Sequence, residues 1–513
     1  MVNLKKNVIA NYVGKGWELF SGFIFIPFYL RYLGMEAYAL IGVFRILKSY
    51  FELFDFGMTP TLTRELARIS PGARTPEAAR ELMRTFEWCL IIIAILLVCA
   101  IWLTSPWLTQ HWFKYKSFSV EQLSFTLDLI GIAATIRIIE CLYRGALLGL
   151  QYHVWLNTAS LVISTLRSIG AILILIITPT ITAFFIWQVV ISLCSVFIFR
   201  YGAVSHLPTA NTKKQFVWQA LLDIKQYAVG LFVGNCLALV ILQLDKILLS
   251  HFLTLEQFGY YAFAATIAST VAILVSPLAD SYAPRLMQLV AMQDHMAISS
   301  TYHQAAQLMS IILAPIAFVV ILFSEKLLLV WDAGSLLTQY NFSIIIILTL
   351  GGLLNGFTHI PYQLQLAYGW IGLSLKINAI IATLLIPLLL VIVPQFGAIG
   401  AAYTWCGINT IYVLVNVQLM HRRLLPNEKW TWYRQDVFYP LVGAGLACVI
   451  MRILCPEFSN LWAASLWILV TTLCACISAI WCAPRIRCIL KISGTQERRN
   501  TIKNKLRITK IPR

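Results

Sequence analysis

Arg45, Lys48, Glu52 and Asp55 are spaced 3, 4 and 3 residues apart, which places all four on one face of a helix. Three more rows follow the same rule. Asn11, Lys15, Glu18 and Gly22 are spaced 4, 3 and 4; Arg137, Glu140 and Arg144 are spaced 3 and 4; Asn157, Ser160, Ser164 and Arg167 are spaced 3, 4 and 3. Guanidinium and ammonium groups pair with phosphate and carboxylate oxygens. Rows in which Lys15, Arg45, Lys48, Arg137 and Arg167 stand out therefore suit an anionic ligand. The same charges also fit a structural reading, in which pairs such as Lys48 and Glu52 lock helices together. Asp128, nine residues from Arg137, falls near the opposite helix face and is expected in a different environment. The second half of the chain offers a row of amides and imidazole instead: Asn355, His359 and Gln363.

Catalytic patterns are missing. The chain has no glycine-rich phosphate loop followed by Lys and Ser or Thr, and no GxSxG. Cys474, Cys476 and Cys482 cluster without histidines at zinc-ligand spacing. Neither a metal, a cofactor nor a disulfide is expected, and the chain is not expected to be an enzyme.

The elements that carry these rows are membrane segments. The sequence is 59% hydrophobic and 12% charged, with mean hydropathy +0.77, against about 25% charged residues in soluble domains. Apolar runs of roughly 20 residues, enough to cross a bilayer core, recur along the whole chain. They fall at roughly 11–33, 37–60, 86–105, 122–143, 155–178, 181–201, 226–249, 257–280, 304–326, 341–363, 372–393, 398–420, 437–454 and 461–482. This predicts an all-α polytopic membrane protein of about fourteen spans, or twelve if the short last two are discounted. The alternation expected of a membrane barrel is absent. An ionisable residue at mid-span costs roughly 2.5–3.5 kcal/mol, so it is usually functional or paired.

Lysine and arginine set the orientation. With the N-terminus cytoplasmic, one side collects Lys5, Lys6, Arg64, Arg68, Arg74, Arg80, Arg84, Lys213, Lys214, Arg422, Arg423, Lys429, Arg434 and the tail from Arg485 onward. Both termini are then cytoplasmic, and the net charge of +17 is a matter of topology rather than of nucleic-acid binding. No cleavable signal peptide is expected, because the first apolar segment is too long. The basic tail suits either anionic lipid or plain solvent.

The chain also resembles itself at a shift of about 220 residues. Gly14 then meets Gly234, Leu33 meets Leu253, Glu36 meets Glu256, and Tyr38 meets Phe258. Six spans separate the copies, so the repeat is parallel, as in transporters that bind substrate between two halves.

The opening KNVIANYVGKGWELFSGFIFIPFYLRYLGMEAYALIGVF, continued by LFDFGMTPTLTRELAR, resembles the N-terminal signature of Wzx-type polysaccharide-unit flippases. These belong to the multidrug/oligosaccharidyl-lipid/polysaccharide exporter superfamily. LDKILLSHFLTLEQFGYYAFA resembles the stretch opening that family's second half. The resemblance covers about the first 420 residues. It implies two six-helix lobes (1–205 and 206–425) around a central cavity; the two further helices (426–483) and the basic tail (484–513) are read from hydropathy and charge and are less typical of that family.

The resemblance further implies that the chain carries an undecaprenyl-diphosphate-linked oligosaccharide from the cytoplasmic to the periplasmic leaflet of a bacterial inner membrane. That serves O-antigen or other surface polysaccharide synthesis, with a polysaccharide polymerase and a chain-length regulator as partners. The expected cavity residues are Lys15, Glu18, Arg45, Lys48, Glu52, Asp55, Arg137, Glu140, Arg167, Asn355 and His359. A cation-coupled multidrug exporter of the same superfamily is the nearest alternative, and a membrane polysaccharide polymerase or ligase a more distant one. Within LFDFGMTPTLTRELAR, Gly57 and Pro60 are expected to loosen the end of the second span and Arg64 and Arg68 to anchor it. Asp55 is expected to close the row at the cytoplasmic mouth, as a gate residue.

Overall fold

A computed structural model describes residues 16–17, 21, 24–67, 76–207, 218–273, 275–331, 342–457 and 461–488 of the 513. Lys15, Glu18, Arg68, Arg74, Lys213, Lys214 and the tail beyond residue 488 lie outside the described residues. In chain order the α-helices of eight or more residues are α1 (Ile26–Phe51), α2 (Met58–Ala67), α3 (Pro76–His111), α4 (Val120–Gly149), α5 (His153–Ile177), α6 (Ile181–His206), α7 (Trp218–Phe252) and α8 (Leu255–Ile273). They continue as α9 (Ser276–Ala291), α10 (His295–Trp331), α11 (Phe342–Phe357), α12 (His359–Ala367), α13 (Ile371–Ile411), α14 (Val417–Leu424), α15 (Tyr439–Ile453) and α16 (Leu461–Cys482). Nine helices among the described residues are long and apolar enough to cross a membrane. Beyond helices, the described residues hold one isolated β-bridge, Lys114 to Thr254. The protein is an all-α, multi-pass membrane protein.

Its contacts fall into two compact units, Met1–Phe263 with Asn378–Ala401, and Ala264–Ile377 with Ala402–Arg513. In the first unit α4 is the central post, packed against α2, α3 and α6. Leu142, Tyr143, Ala146 and Leu147 of α4 are buried with Leu62 and Leu66 of α2, Phe86 of α3 and Phe199 of α6. Small residues bring α2 close. A Cβ on Gly145 would stand 2.5 Å from Thr59 Cγ2, and one on Gly149 2.5 Å from the Thr63 carbonyl oxygen. Thr63 Oγ1 donates to the Gly145 carbonyl at 2.9 Å. This is the small-xxx-small contact that membrane helices use to bring backbones together. Gly145→Leu is expected to push α2 off α4 and cost about 1–3 kcal/mol. It would be read as a lower unfolding temperature in detergent, and an unchanged temperature would show that α2 does not dock there.

The expected second span, 37–60, is corrected. The α-helix stops at Phe51, a 3₁₀ turn covers Glu52–Asp55, and Phe56 (φ 47°) and Gly57 (φ 78°) are left-handed before α2 begins. A left-handed Phe is uncommon, and it is followed by the residue type that tolerates this backbone without strain. Pro60 then sits in the first turn of α2, where its missing N–H is harmless. Arg64 belongs to α2 and not to the end of the second span.

α1 itself is interrupted at Gly34 (φ 75°, ψ 173°). Its second segment crosses α8 closely. A Cβ on Gly42 would lie 2.9 Å from Ala262 Cβ, and one on Gly259 2.6 Å from the Met35 carbonyl oxygen. Gly42 and Ala262 are 220 positions apart, and Tyr38 and Phe258, related by the same shift, are both buried.

The apolar run 372–424 spans 53 residues, more than twice what one crossing needs. It turns back at Gly397 (φ 56°), and Ile392 comes within 2.5 Å of where a Gly400 Cβ would be. Eight residues along a straight helix would separate that pair by about 12 Å. The expected break between 393 and 398 is thus present. In the second unit, α10 packs against α11, α15 and α16. Two π-helical turns, Tyr412–Asn416 and Trp432–Phe438, interrupt the helices there.

Candidate functional site

Glu140 of α4 is buried, with its side chain 3% exposed. Arg137, one turn earlier on the same helix, brings Nη1 to 3.0 Å from both carboxylate oxygens. Arg144, one turn later, reaches Oε1 at 3.5 Å. Arg167 of α5 brings Nη2 to 4.0 Å from Oε2. Ser195 of α6 donates its hydroxyl to Oε2 at 2.6 Å. Three guanidinium groups therefore surround one carboxylate among the described residues.

Helical spacing alone puts Arg137, Glu140 and Arg144 together. Arg167 needs α5 and α6 to position it. Its Nη1 donates to Gln188 Oε1 at 3.1 Å and to Ser192 Oγ at 3.0 Å, and its carbonyl accepts from Trp187 Nε1 at 3.1 Å. Gly170 makes room for that indole, since any Cβ there would lie 2.2 Å from the ring. These groups border a cavity of about 150 Å³, lined by Arg137, Glu140, Arg144, Arg167 and the hydroxyls of Ser21, Ser160, Ser164 and Ser168. Charges drawn from water are costly unless they meet opposite charge. Guanidinium donors and hydroxyls around one small cavity are the lining that suits a cluster of anionic oxygens.

The α1 row faces the same region in part. Lys48 pairs with Glu52 at 3.6 Å. Cys141 of α4 lies within electrostatic range of Lys48 and Glu52 as well as of Glu140 and Arg144. Tyr29 is likewise reached by both Arg45 and Arg167. Arg45 and Lys48 of α1, and Glu52 of the 3₁₀ turn after it, thus lie within electrostatic range of residues that the arginine cluster also reaches.

Asp55 does not join them. Its two oxygens accept the Thr59 N–H at 3.1 and 3.0 Å, and Oδ1 accepts the Thr59 hydroxyl at 2.7 Å. The carboxylate caps the start of α2, because the backbone break at Phe56 and Gly57 turns it out of the helical row. Asp55→Ala is expected to cost about 1 kcal/mol, the usual loss for a helix cap, while leaving transport intact. A transport defect at full expression would contradict that assignment.

The residues expected in the second half serve their own unit. Asn355 Nδ2 donates to Asn409 Oδ1 at 2.8 Å, and Asn409 is fully buried. His359 opens α12 half-buried, within electrostatic range of Asp280. Asp128 is held by the Ser105 hydroxyl at 2.6 Å, away from the arginines as expected. Sequence reasoning missed Gln188, Ser192 and Ser195, although their spacing of 4 and 3 on α6 is the same helical signal.

The fold is helical and membrane-spanning, and its first unit holds a small arginine-rich cavity. The chain belongs to the family described as polysaccharide biosynthesis protein, whose model matches residues 4–290. A Shigella flexneri protein named "Putative O-antigen transporter" is 20% identical over 426 residues, covering 82% of this chain and 99% of that protein. Among solved structures, the lipid II flippase MurJ in an inward closed conformation has a TM-score of 0.65 at 14% identity, covering 92% of this chain and 98% of that one. An inward-facing MATE-family multidrug resistance transporter of the MOP superfamily has a TM-score of 0.64 at 11% identity, covering 82% and 95%. These likenesses show a shared fold.

Proposed function

We propose that the protein is a flippase, and not an enzyme. It carries undecaprenyl-diphosphate-linked oligosaccharide units from the cytoplasmic to the periplasmic leaflet of a bacterial inner membrane, by alternating access. Both termini are cytoplasmic, and the units serve O-antigen or a related surface polysaccharide. The observation that carries this reading is the cavity that gathers Arg137, Arg144 and Arg167 around Glu140. Guanidinium groups match the oxygens of a diphosphate, while the lipid tail can stay in the bilayer.

The family membership, the Shigella relative's name and the MurJ-like fold support a lipid-linked cargo. Lobes 1–205 and 206–425, related by a parallel repeat, are part of the proposal, and the Gly42–Ala262 contact between repeat-related positions supports it. Polymerase and chain-length regulator remain the proposed partners.

The multidrug alternative shares the fold, but a cationic drug would meet a cavity wall rich in arginine. The test is complementation of glycan export in a flippase-deficient strain. Removing charge at Arg45, Lys48, Arg137 and Arg167 one at a time is expected to stop export while the protein still inserts. Full export by all four variants would overturn the proposal, as would transport of a drug panel in place of lipid-linked glycan.

A further inference from the structure

His303 of α10 is fully buried with a carboxylate on each ring nitrogen. Nδ1 is hydrogen-bonded to Asp436, and Nε2 lies 3.2 Å from Glu428 Oε2. Asp436, also fully buried, sits in the π-helical turn Trp432–Phe438, a feature frequent at functional sites. Its second oxygen accepts from Gln307 Nε2 at 2.9 Å. Gln307 in turn accepts the backbone N–H groups of Arg485 at 3.1 Å and Ile486 at 3.4 Å. Glu428 stands on the connection after α14, with its side chain 34% exposed, and also accepts the Ser299 hydroxyl at 3.1 Å.

The other titratable groups nearby are Tyr302, whose hydroxyl meets His421 Nε2 at 3.1 Å, Tyr433 beside Tyr302, and the cations Lys429 and Arg485. Among the described residues, none of them supplies a proton donor to either ring nitrogen of His303.

Ionised carboxylates only accept hydrogen bonds, and a neutral imidazole has one N–H. Two acceptors facing two ring nitrogens therefore require one proton more than neutral His303 and two carboxylates hold. From this geometry we infer that His303, Asp436 and Glu428 form a proton-binding site, separate from the arginine cavity, that latches the 425–429 connection onto α10. The inference holds whatever the protein transports.

When the proton leaves, a nitrogen lone pair faces a carboxylate. Asp436 is enclosed and tied to Gln307, so the partly exposed Glu428 is the group that swings away. The Ser299 contact goes with it, and the connection loosens. Stability at this site is thus present at low pH and lost as pH rises through the site's titration.

The test is amide hydrogen exchange on the full-length protein in lipid nanodiscs across pH 5.5 to 8.5. In the wild type, peptides covering 425–436 should exchange faster than the intrinsic pH effect predicts as pH rises through the transition, by up to about tenfold per pH unit, the linkage slope for one proton, and should level off beyond it. Glu428→Gln puts an amide N–H opposite a neutral Nε2, and Asp436→Asn does the same at Nδ1. Both variants should fold, stay protected and lose the pH dependence. Wild-type exchange that follows the intrinsic pH effect overturns the inference, and so does a variant that keeps the wild-type slope. Failure of Glu428→Gln to fold overturns it as well, since the amide should substitute for the latch.

Discussion

Glu140→Ala is expected to be among the most damaging single substitutions in the first unit. It removes the carboxylate that Arg137, Arg144 and Arg167 share and leaves three partly buried guanidinium groups without it. Breaking a buried ion pair by deleting one partner costs about 3–5 kcal/mol, and here three cations lose the same partner. The purified variant should therefore unfold at a much lower temperature than the wild type. Glu140→Gln keeps the shape and can still accept the Ser195 hydroxyl, so it should lose less stability. It removes one negative charge from the cavity and should bind an anion at least as tightly as the wild type. A Glu140→Ala protein of wild-type stability would show that the carboxylate does not hold the arginines in place.

The second large effect concerns the cargo itself. Arg137→Ala and Arg167→Ala each remove a guanidinium from the cavity wall. Removing one partner of a buried, hydrogen-bonded charge pair costs about 2–5 kcal/mol of binding. At 1.4 kcal/mol per decade that is roughly 30-fold to several thousandfold. Glycan export should fail in both variants. Arg167→Ala should show the cleaner separation of transport from stability, because Arg167 stands 4.0 Å from Glu140 while Arg137 makes two contacts of 3.0 Å. Wild-type export by Arg167→Ala would remove the cavity from the mechanism.

Much of this site was legible because helical spacing is arithmetic. Arg137, Glu140 and Arg144 had to share a face once 120–149 was a helix; the same count put Arg167 on a polar row of α5, but only the packing of α5 and α6 brings it to Glu140. What spacing could not show was a break. Asp55 fits the row of Arg45, Lys48 and Glu52 only if the helix continues, and it ends at Phe51. A local hydrogen-bonding choice, capping α2 through Thr59, decided that residue's role. Asn355 reads as a free polar face in sequence, yet its partner Asn409 comes from α13, 54 residues on. The His303–Asp436 pair was invisible for the same reason, since the two lie 133 residues apart and neither belongs to a patterned row. Membrane character was the easiest property to read, because a bilayer forces long apolar helices whatever the packing. The packing of one helix on another depends on small residues such as Gly145 and Gly149, which hydropathy does not register.

The most direct test is equilibrium binding of undecaprenyl diphosphate to the full-length protein in nanodiscs, comparing the wild type with Arg137→Gln/Arg167→Gln. The cationic cavity predicts that the double variant binds at least about 30-fold more weakly, with a shallower dependence on salt concentration. Equal affinity in the two proteins would contradict the central claim that these arginines hold the diphosphate.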